Sequence, residues 1–214
     1  NNIEKVFIGW PGPIQNEQKD PINYSELPPN VIQQIEKLYL SETDSIPVFI
    51  ESKITQGHAN YCNTTLWPIF HYLVWENPNQ CKEMVQDWKD YVKVNEAFAE
   101  KILQVYKTGD VIWILNHHLL LLPGLLSQRV QSAPIGLYLR NTFPSSELFR
   151  CLPQAEELLT GMLGANLIGF QAYAYARHFT SCCTRVLGLE ASLQRIDYEG
   201  APVELAVVPT GIEA

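Results

Sequence analysis

The chain has few of the features that would tie it to a nucleic acid or a membrane. It carries 15 lysines and arginines against 23 aspartates and glutamates, a formal net charge of −8, and has no basic run. An acidic surface repels the phosphates of nucleic acids and anionic lipids. No apolar run reaches the roughly 18 residues needed to cross a bilayer. We therefore expect no nucleic-acid partner and no membrane partner.

The motifs of several large enzyme classes are also missing. There is no G-x-S-x-G nucleophile elbow, which argues against a Ser/His/Asp hydrolase, and neither a Walker loop nor a G-x-G-x-x-G follows a strand. His117 and His118 suggest a metal site, but neighbouring residues at a strand end point in opposite directions. No third histidine, cysteine or carboxylate lies at a matching spacing. We therefore expect no metal and no cofactor.

Cysteine is scarce, and its pattern is not that of a secreted protein. The five cysteines are an odd number without C-x-x-C spacing, which favours a reduced, cytoplasmic protein. No signal peptide is apparent at the first residues. Because the first predicted strand begins close to residue 1 and the last turn is unfinished, we expect residues 1–214 to be a single domain from a larger protein.

What the chain does contain is a stretch typical of a strand–helix–strand unit, between Asp110 and Glu147. Residues 111–115 and 135–139 are short apolar runs, as in strands that are covered on both faces. The residues from 119 to 130 predict the helix between them. Polar loops follow the two strands, at 116–118 and 140–142. Because ligands collect beyond the carboxyl ends of parallel strands, these loops are the expected place for any chemistry.

Strands and helices alternate along the rest of the chain. This order predicts an α/β fold with a Rossmann-like, doubly wound and mainly parallel sheet. A polar, proline-rich excursion is expected at 14–29 and a loop at 76–80. The further predicted strands are 5–10, 46–50, 167–170 and 203–208, and the further helices are 31–39, 63–75, 81–106, 154–163 and 172–186.

Two pairs of side chains have both a functional and a structural interpretation. Arg140 and Arg150 could bind a phosphate, but salt bridges are the more common use of such residues. Trp67 and Trp88 could stack on a sugar, but tryptophans at this spacing are more often part of a core. On these residues alone, the chain is a soluble α/β domain without a diagnostic active site.

A series of longer motifs resembles trehalose-6-phosphate synthases across nearly the whole chain. They occur in the family's order, at Val6–Gly12, Leu66–Tyr72, Val94–Ala99, Phe143–Arg150, Leu167–Gln171, Tyr175–Phe179 and Pro209–Glu213. The resemblance implies the N-terminal, acceptor-side half of a GT-B fold, lacking its first strand and the glycine-rich loop after it. Enzymes of this family transfer glucose from UDP-glucose to glucose 6-phosphate with retention of configuration.

The chain departs from the family at the positions that hold the sugars. The family aspartate that binds acceptor hydroxyls falls on Asn116, the histidine beside the donor glucose on Arg140, and the tyrosine at the acceptor phosphate on His58. Trp67 is kept. An amide oxygen is a weaker acceptor than a carboxylate, and arginine cannot accept a hydrogen bond as an imidazole can. These four positions would form a vestigial acceptor site without catalytic residues.

The resemblance and its departures together predict a protein that is not an enzyme. We expect a regulatory or scaffold subunit of a fungal trehalose synthase complex, bound to the synthase and phosphatase subunits, with a sugar phosphate as a further candidate ligand. One alternative is an active, retaining UDP-glucose:glucose-6-phosphate glucosyltransferase. Another is the inactive N-terminal domain of a trehalose-6-phosphate phosphatase.

Overall fold

The computed structural model describes residues 4–211, apart from 16, 17, 19–21, 23, 25, 26 and 74–80, and apart from the side chains of 81–83. The loop predicted at 76–80 and much of the excursion predicted at 14–29 lie outside the described residues. Within them the fold is α/β, with one five-stranded sheet and one two-stranded sheet among helices. In the described part of the chain, no helix is both long enough and apolar enough to span a bilayer.

The main sheet has the strand order β3-β4-β5-β7-β6. Four of its strands are parallel, and β6 pairs antiparallel with β7. This confirms the predicted, mainly parallel sheet, although β6 was not predicted from the sequence. The strands are β3 Ile112–Leu115, β4 Ile135–Leu139, β5 Leu167–Phe170, β6 Arg195–Tyr198 and β7 Ala201–Val207.

The smaller sheet pairs β1, Phe7–Gly9, in parallel with β2, Ser45–Pro47. Pro47 ends β2, a position where the missing N–H of proline removes no internal ladder bond. Both strands are shorter than the sequence predicts, and β2 also starts one residue earlier than expected.

The described residues form eight α-helices, of which α2, Ser52–Asn60, was not predicted from the sequence. A π-helix at Tyr61–Leu66 joins α2 to α3, so one helical rod runs from Ser52 to Phe70. The predicted 119–130 helix is shorter, because a 3₁₀ turn occupies His117–Leu119 and α5 begins with Pro123 in its first turn. The helices are α1 Pro29–Thr43, α2 Ser52–Asn60, α3 Trp67–Phe70, α4 Cys81–Val105, α5 Leu122–Ser127, α6 Ser146–Phe149, α7 Ala155–Met162 and α8 Tyr173–Leu187.

The prediction that residues 111–115 are covered on both faces is wrong. Ile114 is buried, but Trp113 and Leu115, on the opposite face of β3, are 54% and 47% exposed, so only one face of this edge strand is covered. Its neighbour β4 fits the prediction, since all five of its residues are buried. The absence of a first strand, which the family resemblance implies, stays a prediction.

A cluster of phenylalanines fixes the chain that follows β4. Phe143 is fully buried, and its ring centroid lies between 5.3 and 6.0 Å from those of Phe70, Phe149, Phe170 and Phe179. These four partners come from α3, α6, β5 and α8. The loop at 140–142 is therefore anchored by the hydrophobic core immediately after it.

Three glycines let α5 and α7 approach each other closely. A Cβ on Gly161 would lie 2.7 Å from the backbone oxygen of Leu120 and 2.8 Å from the Cα of Leu121. Gly124 and Gly164 meet across the same contact. Because backbone atoms line this contact, a larger residue can be accommodated only by moving one helix.

We expect Gly161→Ala to destabilise the domain by about 2 kcal/mol, because overpacking against backbone forces a helix shift. Urea denaturation measures this as a lower midpoint at unchanged slope. Gly9→Ala is the matched control: a Cβ there meets nothing within 4 Å, so its effect should stay within about 0.5 kcal/mol. Equal midpoints for the two variants would contradict the close packing of α5 on α7.

Candidate functional site

The loops after β3 and β4 contact each other directly. The backbone N–H of Arg140 donates a hydrogen bond to Oδ1 of Asn116 at 2.9 Å, and Nδ2 of Asn141 lies 2.5 Å from Nδ1 of His117. The backbone N–H of Asn116 donates to the carbonyl of Tyr138 at 2.9 Å. Two of the four predicted site residues, Asn116 and Arg140, are thus brought together at the carboxyl edge of the sheet.

The backbone of Asn116 adopts a conformation that few residue types tolerate. Its φ is 64° and its ψ is −172°, a combination found almost only in glycine, so the backbone is strained at this residue. The side-chain oxygen accepts from the N–H of Arg140, which leaves it one lone pair beside the two N–H donors of the amide. An aspartate here would have a second, charged oxygen where Asn116 has an NH₂ donor.

Two buried side chains of α4 hold the turn after Asn116 in place through hydrogen bonds. The hydroxyl of the buried Tyr91 donates to the carbonyl of His117 and accepts the N–H of Leu120, both at 2.9 Å. Asn95, also buried, donates to the carbonyl of Tyr91 at 2.9 Å and accepts the N–H of Leu121 at 3.2 Å. Asn95 interrupts the apolar stripe of α4, and this was the sequence signal for its role.

His58, the third predicted site residue, points toward this turn. Its ring stacks on that of Tyr91 with centroids 5.3 Å apart, and its Nε2–H donates to the carbonyl of His118 at 3.0 Å. Burial lowers the pKa of His58, although the hydrogen bond to the His118 carbonyl acts in the opposite direction. A neutral imidazole whose N–H is already bonded is a poor partner for a phosphate.

Trp67, the fourth predicted residue, keeps an accessible face. It begins α3 and is 42% exposed, its ring stacks on that of His71 with centroids 3.6 Å apart, and it lies 5.9 Å from the ring of His117. Trp67 therefore remains available as a stacking platform. Trp88 has the structural role, because its ring packs on those of Tyr61 and Tyr91 in the core.

The two arginines differ in their surroundings. Arg150 forms a salt bridge with Glu147 at 2.8 Å, which is the structural interpretation of this residue. Arg140 is exposed, and within the described residues its guanidinium forms no salt bridge. A permanent positive charge therefore lies beside Asn116, at the carboxyl edge of the sheet.

The two histidines after β3 do not point in opposite directions, as the sequence led us to expect. They lie on a 3₁₀ turn, not on a strand, and their ring centroids are 4.2 Å apart. Cys62, from the π-helix, joins them as a third potential ligand. The premise that the two histidines point apart is therefore wrong, and the third potential ligand comes from a distant part of the chain that a search by local spacing does not cover.

A cavity of about 280 Å³ lies elsewhere, near the carboxyl end of β1. Its lining includes Trp10, Tyr24, Phe49 and Lys53 but none of the four predicted site residues. The chemistry-bearing residues and this cavity are therefore separate features.

Comparison with known sequences places the chain in a defined group of proteins. The sequence profile of the family described as glycosyltransferase family 20 matches residues 1–214. The Saccharomyces cerevisiae trehalose synthase complex regulatory subunit TPS3 is 37% identical over 91% of this chain and 19% of that protein. A Dictyostelium discoideum protein, alpha,alpha-trehalose-phosphate synthase [UDP-forming] A, is 36% identical over 97% of this chain and 26% of its own. The chain thus spans about a quarter or less of either relative.

Solved structures give a similar result. The N-terminal domain of Candida albicans trehalose-6-phosphate phosphatase superposes with a TM-score of 0.80 at 35% identity, over 97% of this chain and 48% of that one. A UDP-forming trehalose-phosphate synthase from Burkholderia xenovorans gives a TM-score of 0.69 at 26% identity, over 78% of this chain and 37% of that one. Proteins described as regulatory, as synthase and as phosphatase all share the fold, so overall similarity does not separate their functions.

We expect Tyr91→Phe to destabilise the protein by about 2 kcal/mol, because the carbonyl of His117 and the N–H of Leu120 lose a buried partner. Denaturant unfolding measures the loss, and hydrogen exchange should show faster exchange at the Leu120 amide. Tyr173→Phe is the control, since Tyr173 is 57% exposed and should tolerate the change. A wild-type exchange rate at Leu120 in Tyr91→Phe would contradict the proposed anchoring.

Proposed function

The chain belongs to glycosyltransferase family 20, and from this premise we propose that it is a non-catalytic domain that regulates or scaffolds a trehalose synthase–phosphatase complex. The observation that carries the proposal is the pair formed by Asn116 and Arg140. The acceptor oxygen of Asn116 is occupied by the backbone of Arg140, while the side chain of Arg140 adds a fixed positive charge.

The chemistry of glucosyl transfer explains why this pair is unsuited to catalysis. A carboxylate at position 116 could accept the Arg140 N–H with one oxygen and bind a sugar hydroxyl through a charge-assisted bond with the other, whereas the amide has a single neutral oxygen for both. Arginine at 140 lacks the acceptor nitrogen of an imidazole. If each lost contact costs about 2–3 kcal/mol in the transition state, the three changed positions together reduce the rate by a factor of many thousands.

The identity of the parent protein allows two versions of this proposal. Similarity to the yeast regulatory subunit supports a subunit that binds the active synthase and phosphatase. The higher TM-score with the Candida albicans domain supports the N-terminal half of a phosphatase. Release of phosphate from trehalose 6-phosphate by the full-length protein would support the second version, and its absence the first.

The full-length protein is expected to form no trehalose 6-phosphate from UDP-glucose and glucose 6-phosphate. Product is measured by mass spectrometry and UDP release by a coupled assay, beside an active synthase subunit as positive control. Turnover by the wild-type chain that disappears in Asn116→Ala would overturn the proposal and favour the alternative of an active glucosyltransferase.

The same protein should form a hetero-oligomer with synthase and phosphatase subunits. Sedimentation velocity of purified mixtures measures this, and Asn116→Asp/Arg140→His serves as the matched variant, since a scaffold role does not depend on these two side chains. Failure of the full-length chain to associate with either subunit would contradict the scaffold role, independently of the activity assay.

A further inference from the structure

We propose that Cys62, His117 and His118 form a binding site for a divalent transition-metal ion, with zinc as the best fit. One potential ligand atom from each residue lies within 4.8 Å of the other two. Two imidazoles and one thiolate are a donor set that zinc prefers, and hard cations such as magnesium do not.

The second observation is an orphaned atom on His117. This side chain is 2% exposed, and its Nε2 has no hydrogen-bond partner among the described residues. Buried polar atoms normally have a partner, so an unpaired ring nitrogen beside a thiol and a second imidazole indicates a missing ligand.

The amide of Asn141 controls the tautomer of His117. Its Nδ2 lies 2.5 Å from Nδ1 and donates to it, so Nε2 carries the ring proton in this arrangement. A 180° turn of the amide would bring Oδ1 to the ring as the acceptor of Nδ1–H and would leave a lone pair on Nε2, the form that a metal requires. A hydrogen bond of this type orients most metal-binding histidines.

The three ligand atoms must move slightly closer together before they can coordinate one ion. Donor atoms around a tetrahedral zinc are about 3.5 Å apart, so the widest separation must shrink by roughly 1 Å. His118 is exposed and can rotate, whereas Cys62 and His117 are fixed in the core. The fourth coordination position would face solvent on the side of His118.

The binding step balances with the groups that the cluster supplies. Each neutral imidazole contributes the lone pair of one ring nitrogen, and Cys62 contributes its sulfur as a thiolate. Metal binding would break the S–H bond, form a metal–sulfur bond and release that proton to solvent, without any redox change.

The position of the site gives it a structural role. Cys62 belongs to the helical rod Ser52–Phe70, and the two histidines belong to the turn after β3, directly beside Asn116 and the Asn141 loop. His58 is in contact with this cluster, because its Nε2 lies 3.7 Å from Sγ of Cys62. A bound ion would cross-link this helical rod to the turn after β3.

Cobalt(II) is the probe, added to the full-length protein after removal of metals with a chelator. We expect one ion per chain, d–d bands of a tetrahedral site, a thiolate-to-cobalt charge-transfer band, and displacement by zinc. Calorimetry in buffers of different ionisation enthalpy should show release of about one proton per ion, from the Cys62 thiol.

Two variants and two controls locate the site. Cys62→Ala should abolish the charge-transfer band, and His118→Gln should weaken cobalt affinity by about 10- to 100-fold or more. His118 is exposed, so its replacement leaves the core packing unchanged. Cys151→Ser, in the segment after α6, and His178→Gln, on α8, change the same residue types outside the cluster, and both variants should bind as the wild type does.

The proposal is overturned if the wild-type protein binds no cobalt or zinc, or if Cys62→Ala keeps the charge-transfer band. Binding lost equally in Cys151→Ser would place the ion elsewhere and would also overturn it. No sugar is present in these measurements, so their outcome is independent of whether the proposed regulatory function is correct.

Discussion

The hydroxyl of Tyr91 is the contact on which the arrangement of the candidate site depends. This hydroxyl donates one hydrogen bond to the turn after β3 and accepts another from it, and so connects the turn to the middle of α4. Around this link, the ring of Tyr91 also stacks on His58, so one side chain positions both the turn and the helix that faces it. Buried polar groups that are fully paired specify a single arrangement more strictly than apolar packing does.

The geometry of the site follows from that anchored turn. Because the turn starts directly after β3, Asn116 must reverse the chain with a positive φ, and its side chain then reaches the backbone of Arg140. The contact holds the two loops together and uses one lone pair of the Asn116 oxygen. The pair therefore fixes the relative position of the two loops at the carboxyl edge of the sheet.

The resemblance to trehalose-6-phosphate synthases and the α/β fold were both predictable from sequence, and both are confirmed. The fold was predictable because elements such as Ile135–Leu139 and the long α4 follow from the local pattern of apolar residues. The exposed face of β3 was not predictable, since an apolar run does not reveal whether other elements cover both faces of the strand. Helix α2 was missed because its apolar residues are few. The roles of His58, Trp67, Asn116 and Arg140 stay predictions.

The meeting of Cys62 with His117 and His118 could not be read from residue spacing, because the cysteine lies 55 positions away from the first histidine along the chain. It depends on two local departures from regular structure: the π-helix that carries Cys62, and the 3₁₀ turn that sets the two imidazoles side by side. Such irregular helices are costly in isolation and often mark functional positions. Both departures converge on one cluster, where Nε2 of His117 has no hydrogen-bond partner among the described residues, and this is where the proposed ion would bind.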